Sequence, residues 1–157
     1  GGTGILGDSY TNPDIYPDAY EAGTLNMPAI WALKSALEYL GEHREEILEK
    51  EQKLTKELIA SLGELPQTEL FRVERERVST CCFRIRGQRT DEVVKELSRR
   101  DICVRGGVHC AVLAHETLGT LETGTVRVSL NHWNTQEEIQ SFFTALKEMT
   151  AGVPDIL

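Results

Sequence analysis

The hydrophobic period of the chain changes after Pro66, and that change confines the fold more than any other feature. Upstream, Ile30, Leu33, Leu37 and Leu40 recur at helical spacing behind Asn26, which reads as an N-cap, and Pro28, which suits a first turn. Gly41 is expected to interrupt this helix. A second run places Ile47, Leu54, Leu58 and Leu62 on one stripe among Glu, Lys and Arg, and stops at Gly63. Together they predict a long helical spine kinked at the glycine. Downstream, Thr68 to Val73 and Val78 to Ile85 are short, rich in β-branched and aromatic residues, and separated by the charged turn Glu74-Arg75-Glu76-Arg77. They read as a hairpin or as two neighbouring strands. Thr90-Asp91 caps a helix that turns Val93, Val94 and Leu97 inward, with Arg99-Arg100 suited to the helix dipole in its last turn. Ile102 to Val104 reads as a short strand, 106–120 as a Gly/His/Thr loop, and Thr125 to Leu130 as another strand. Thr135 and Glu138 form a capping box for a final helix with Ile139, Phe142, Phe143 and Leu146 on its buried face. The sum is an α+β layer, a small, mostly antiparallel sheet covered by helices on one face. Residues 1–26, rich in Gly, Thr, Asn, Asp, Pro and Tyr, lack helical period and read as an extended arm ahead of a domain over 27–157.

Charge narrows the partners. The 157 residues carry 17 Lys+Arg against 25 Asp+Glu, a formal net charge of −8, which disfavours nucleic acid. No apolar run approaches the roughly 20 residues of a membrane span. The four cysteines, Cys81, Cys82, Cys103 and Cys110, form no C-x-x-C pair, which argues against a disulfide scaffold or zinc knuckle and makes a reducing cytoplasm the expected compartment. The chain opens on glycines without an initiating methionine, and the expectation is a piece of a longer polypeptide.

The segment Arg105-Gly106-Gly107-Val108-His109-Cys110-Ala111 carries the most chemical information. Adjacent glycines let the backbone bend sharply and set Cys110 on a mobile segment after a strand. A nucleophilic thiol needs access and positive neighbours to favour its thiolate, and Arg105 and His109 supply candidates. The alternative is a small apolar residue packed under a loop, the reading given to Cys81, Cys82 and Cys103. Arg127, between Val126 and Val128, presents either a planar fork for a carboxylate or a strand charge paired with a glutamate. His109, His115 and His132 have no metal-ligand spacing, and His43 reads as a solvated helix residue.

Five motifs in order now carry a resemblance: Gly1-Gly2-Thr3-Gly4; Glu21-Ala22-Gly23-Thr24-Leu25-Asn26; Arg105 through Ala111; Gly124-Thr125-Val126-Arg127-Val128-Ser129; and Asn134-Thr135 with Glu138-Ile139. From residue 1 to about residue 148 the chain resembles the C-terminal part of the cysteine desulfurases. These are pyridoxal-phosphate enzymes of the class V aminotransferases, with the aspartate-aminotransferase fold. The resemblance implies a C-terminal small domain preceded by long interdomain helices, with a cofactor-binding large domain upstream of Gly1.

It also implies roles. Cys110 matches the cysteine that takes sulfur from a pyridoxal-bound L-cysteine, becoming a persulfide as alanine leaves. Arg127 matches the arginine that grips the substrate α-carboxylate, and Arg105 and His109 match substrate-side positions in the loop beside the thiol. Gly23 and Thr24 match a pair that reaches the cofactor phosphate of the other subunit in a homodimer, with Thr3 nearby. Family members hold the cofactor through a Schiff-base lysine in the large domain. The six lysines here (Lys34, Lys50, Lys53, Lys56, Lys95 and Lys147) all fall on predicted helices, so this chain by itself is expected to be inactive. Met27, Ala29 and the His132-Trp133 pair depart from the family pattern and bear on substrate preference. A sulfur-acceptor protein, as in iron–sulfur cluster assembly, is an implied partner. Transamination, selenocysteine cleavage, or a non-catalytic dimerisation role remain alternative readings.

Overall fold

A computed structural model describes residues 7, 10–11, 13–21, 23–71 and 78–151. The chain divides into two compact units, Gly1–Arg44 and Glu45–Leu157.

In the first unit the described residues before Asn26 form turns and bends, and helix α1 spans Met27–Glu42. Asn26 caps it, its Oδ1 accepting from the Ala29 N–H at 3.2 Å, and proline occupies the first turn. Gly41 does not interrupt this helix. The break falls at His43, whose N–H donates to the Tyr39 carbonyl at 3.0 Å and whose ring packs on Tyr39. A glycine costs a helix interior only about 1 kcal/mol, too little to end one held by neighbouring turns. His43 is half-buried at this joint, where a solvated helix position was expected. No residue of α1 is buried, and Ile30, Leu33, Leu37 and Leu40 are all exposed.

The second unit holds the α+β layer. Helix α2 (Arg44–Gly63) buries Leu54, Leu58 and Leu62, the expected stripe. Strands β1 (Thr68–Phe71) and β2 (Thr80–Ile85) pair antiparallel, from Thr68 opposite Ile85 to Phe71 opposite Cys82, so the hairpin alternative holds. Val73 and the turn 74–77 lie outside the described residues. Helix α3 (Thr90–Ser98) follows, then β3 (Arg105–Gly107), α4 (Val112–Thr117), β4 (Thr125–Ser129) and α5 (Gln136–Thr150). The sheet order is β1-β2-β4-β3, with every neighbouring pair antiparallel. Strands β2 and β3 therefore run parallel, joined through α3 with β4 inserted between them, a split β-α-β arrangement.

Alternation along the strands sorts their residues. Cys81, Phe83 and Ile85 of β2 and Val126 and Val128 of β4 face Leu58 and Leu62 of α2, Val93 and Leu97 of α3, and Phe142, Ala145 and Leu146 of α5. Phe83 meets Phe142 edge-on, centroids 5.9 Å apart. The capping box of α5 forms as its sequence specifies, with Glu138 N–H donating to Thr135 Oγ1 and Thr135 N–H to Glu138 Oε2.

Four further expectations change. The third strand lies at Arg105–Gly107, three residues beyond Ile102–Val104. Pairing with β4 decides the matter, and Gly106 permits it, since a Cβ there would stand 2.8 Å from Val94 Cγ2 of α3. The expected loop over 106–120 holds the rest of that strand and α4. Thr90 is the first residue of α3, and the capping position falls to Arg89, whose side chain makes no cap bond. Of the cysteines assigned to the core, only Cys81 is buried: Cys82 projects from the opposite face of β2, half-buried, and Cys103 is exposed on the connection before β3.

Candidate functional site

The face of the sheet opposite the three helices carries the remaining chemistry. On β4, Arg127 stands directly opposite Cys82 of β2 and Arg105 of β3. Arg127 is half-buried, and its Nε is enclosed without a hydrogen-bond partner. Like charges placed opposite one another across a ladder repel. Nearby Arg84 is neutralised by Glu69 at 2.6 Å, whereas among the described residues no acidic side chain pairs with Arg105 or Arg127. Two guanidiniums left in this way are suited to an anion, and Arg127, with its buried donor, to a planar carboxylate.

The turn after β3 is built rather than loose. Gly107 has φ +110° and Gly124 φ +63°, and a Cβ on Gly124 would lie 2.8 Å from the Gly107 Cα, so the two backbones meet because position 124 has no side chain. The Ala111 N–H closes the turn on the Val108 carbonyl at 2.9 Å. Between them His109 (φ +55°) and Cys110 (φ +59°) both adopt the left-handed conformation, which costs L-residues roughly 1–2 kcal/mol each. Such strain persists where surrounding bonds over-determine it. The Cys110 side chain is exposed at this turn.

His109 supplies one of those bonds. Its Nε2 lies 3.1 Å from the Thr125 carbonyl and 3.2 Å from Thr125 Oγ1 at the start of β4. A carbonyl only accepts, so a bond to it requires the proton on Nε2 and a bare Nδ1; Nδ1 is enclosed and unpartnered. Burial, then the charges of Arg127, His115 and Arg105, hold the His109 imidazole below the ordinary histidine value of 6.5, against a smaller opposing effect of the Thr125 bond. The unfolded chain therefore takes up a proton before the folded one does. Stability should fall as pH drops through about 6.5 and level off once folded His109 is itself protonated. Urea unfolding of His109→Gln beside the parent at pH 7.5 and 5.5 checks this, since the variant should lose that part of the acid sensitivity.

Thr125 links the two halves of the site, bonding His109 and standing two residues before Arg127 on the same strand. Gly23 and Thr24 belong to the first unit and are both exposed, Gly23 with φ +81°; Thr3 lies outside the described residues. All six lysines are exposed on helices. The buried pair His115 and Thr120, behind the turn, was not legible as part of the site, because neither residue sits at a motif spacing. Among the described residues no group of three or more His, Cys, Asp or Glu is placed to hold a metal, and no helix is long and apolar enough to cross a membrane.

Comparison with known proteins bears on the fold and the family. Residues 6–142 match the family Aminotransferase class-V. A probable cysteine desulfurase of Methanothermobacter thermautotrophicus is 34% identical over 145 residues, 90% of this chain and 36% of that protein. A cysteine desulfurase from Thermococcus onnurineus NA1 superposes with TM-score 0.78 at 29% identity, covering 91% of this chain and 35% of its own. The Escherichia coli cysteine desulfurase CsdA gives TM-score 0.75 at 26% identity over 89% of this chain and 34% of its own. The chain thus spans about a third of the length of the relatives it matches, and it belongs to the class V aminotransferases.

Proposed function

We propose that this chain is the C-terminal domain of a pyridoxal-phosphate cysteine desulfurase and that Cys110 is its sulfur acceptor. The observation that carries the reading is the exposed thiol on a strained turn, tied through His109 to the strand of the partnerless Arg127. Arg127 binds the α-carboxylate of L-cysteine and fixes the amino acid against the thiol. Arg105, across the ladder, adds positive charge, which favours the thiolate over the thiol. The Cys110 thiolate attacks the substrate sulfur, an S–S bond forms as the C–S bond breaks, and the released carbon takes a proton to become alanine.

The residues present fit the substrate side of a cofactor site and not its covalent anchor, because every lysine is solvated on a helix. When bound, pyridoxal phosphate supplies an electron sink for the substrate carbon. Exposed Gly23 and Thr24 are suited to the phosphate of a second subunit in a homodimer, and the resemblance gives Thr3 a part in the same contact. A sulfur-acceptor protein then removes the persulfide in the cytoplasm. Incubated with L-cysteine, the longer polypeptide carrying this chain should gain one sulfur on the Cys110 peptide, read by mass spectrometry without reductant. Sulfur on another cysteine, or on none, would overturn the assignment.

A further inference from the structure

Behind the cysteine turn lies a polar pair that the proposed reaction does not use. His115 of α4 is 4% exposed and Thr120 is 1% exposed, both as buried as the apolar core. The His115 Nδ1 meets Thr120 Oγ1 at 2.8 Å. The Thr120 N–H donates to the His115 carbonyl at 2.9 Å, and the Gly124 N–H to the Thr120 carbonyl at 2.8 Å, so the pair is fastened to the residue just before β4. On its other side the His115 N–H donates to the Ala111 carbonyl at 3.1 Å, one residue after Cys110. The His115 ring then abuts His109, with centroids 5.7 Å apart and planes inclined at 50°.

A buried imidazole fastened through Nδ1 to the Thr120 hydroxyl, with the Thr120 carbonyl at 3.4 Å, is a costly way to fill space, because a polar group that loses its partner in the interior is strongly destabilising. What the arrangement provides is a fixed wall. His109 can keep Nε2 on Thr125 only while its ring plane is held, and His115 supplies that contact. We propose that His115 and Thr120 are positioning residues, which lock His109 in the Nε2-protonated tautomer and thereby set the orientation of the adjoining Cys110. The proposal rests on the sulfur-acceptor reading of Cys110 for its purpose, although its geometry stands without it. The charged and titratable groups facing His109 are Arg127 from β4, Arg105 from β3 and His115 from α4. All three oppose a second proton on the ring, so a tautomer set by packing persists across neutral pH.

The test uses the polypeptide carrying this chain with nitrogen-15 in its histidines. The long-range proton–nitrogen spectrum of the parent should show His109 as one Nε2-protonated species. Thr120→Val keeps the shape and removes the hydroxyl; it should turn that single species into a mixture of tautomers and move the pH profile of Cys110 alkylation, read peptide by peptide with iodoacetamide. Thr120→Ser should restore both. His115→Ala should give the same loss, and Thr120→Val keeps the test valid if that variant does not fold. A folded Thr120→Val protein with one His109 tautomer and an unchanged alkylation profile would sink the proposal, as would a parent with mixed tautomers. Neither readout requires turnover, so failure of the desulfurase reading would appear separately, as absence of sulfur on Cys110.

Discussion

Replacing Cys110 by serine should lower formation of alanine and sulfide from L-cysteine by roughly a thousand-fold or more, the scale on which enzymes fail when their nucleophile is removed. Cofactor absorbance should be unchanged in the full-length protein. The reasoning is local. The Cys110 side chain is exposed and belongs to no part of the core, so its removal leaves the packing intact. Serine at this turn keeps the shape and gives up the soft anion that attacks sulfur. Assay of alanine by amino-acid analysis, with sulfide measured in parallel, decides the outcome. Undiminished desulfuration would show that the thiol is a bystander. Amino transfer to a keto acid surviving in the variant would assign the chain to a different class V reaction on the same scaffold.

Arg127 should give the second largest effect. A bidentate, charge-assisted carboxylate bond is worth on the order of 1.5–3 kcal/mol, so Arg127→Leu should reduce kcat/KM for L-cysteine roughly ten- to a hundred-fold, mostly through KM. Arg127→Lys keeps the charge but loses the fork, and should fall between. Stability offers an independent check. Among the described residues Arg127 stands opposite Arg105 without an acidic partner, so Arg127→Leu removes a repulsion and should leave the Tm unchanged or slightly raised. Steady-state kinetics with a thermal melt tests both halves. An unaltered kcat/KM, or a collapse of the fold, would refute the anion-receptor role.

Much of the fold is legible in the sequence because its signals are repeated. Leu54, Leu58 and Leu62 mark the buried stripe of α2, the alternation of Cys81, Phe83 and Ile85 marks the inward face of β2, and Thr135 with Glu138 announces α5. The misplaced elements are those where tertiary pairing overrides local preference. Ile102 to Val104 has the composition of a strand, yet the ladder forms at Arg105–Gly107, where glycine allows the approach to α3 that a side chain would block. Cys103 follows the same error, exposed because its segment lies outside the ladder. At the candidate site, Cys110, His109, Arg105 and Arg127 stand out through the glycine pair and through an arginine between valines. The bonds that organise them do not: Thr125, Thr120 and His115 are joined by geometry that spans the α4 connection, and no periodicity encodes it.

The contact between Gly107 and Gly124 bears on how such domains can be recombined. Main chain rests on main chain there with no side group as a spacer, so the sulfur-bearing bend and the arginine strand share a single fulcrum. A chimera that joins the 105–124 segment to another member must keep glycine at 124, where the backbones meet, and at 107, whose φ of +110° would strain a residue with a side chain. A side chain at 124 would wedge a methyl group between the two backbones and shift the Cys110 turn against the Arg127 strand, while every residue of the candidate site stayed the same.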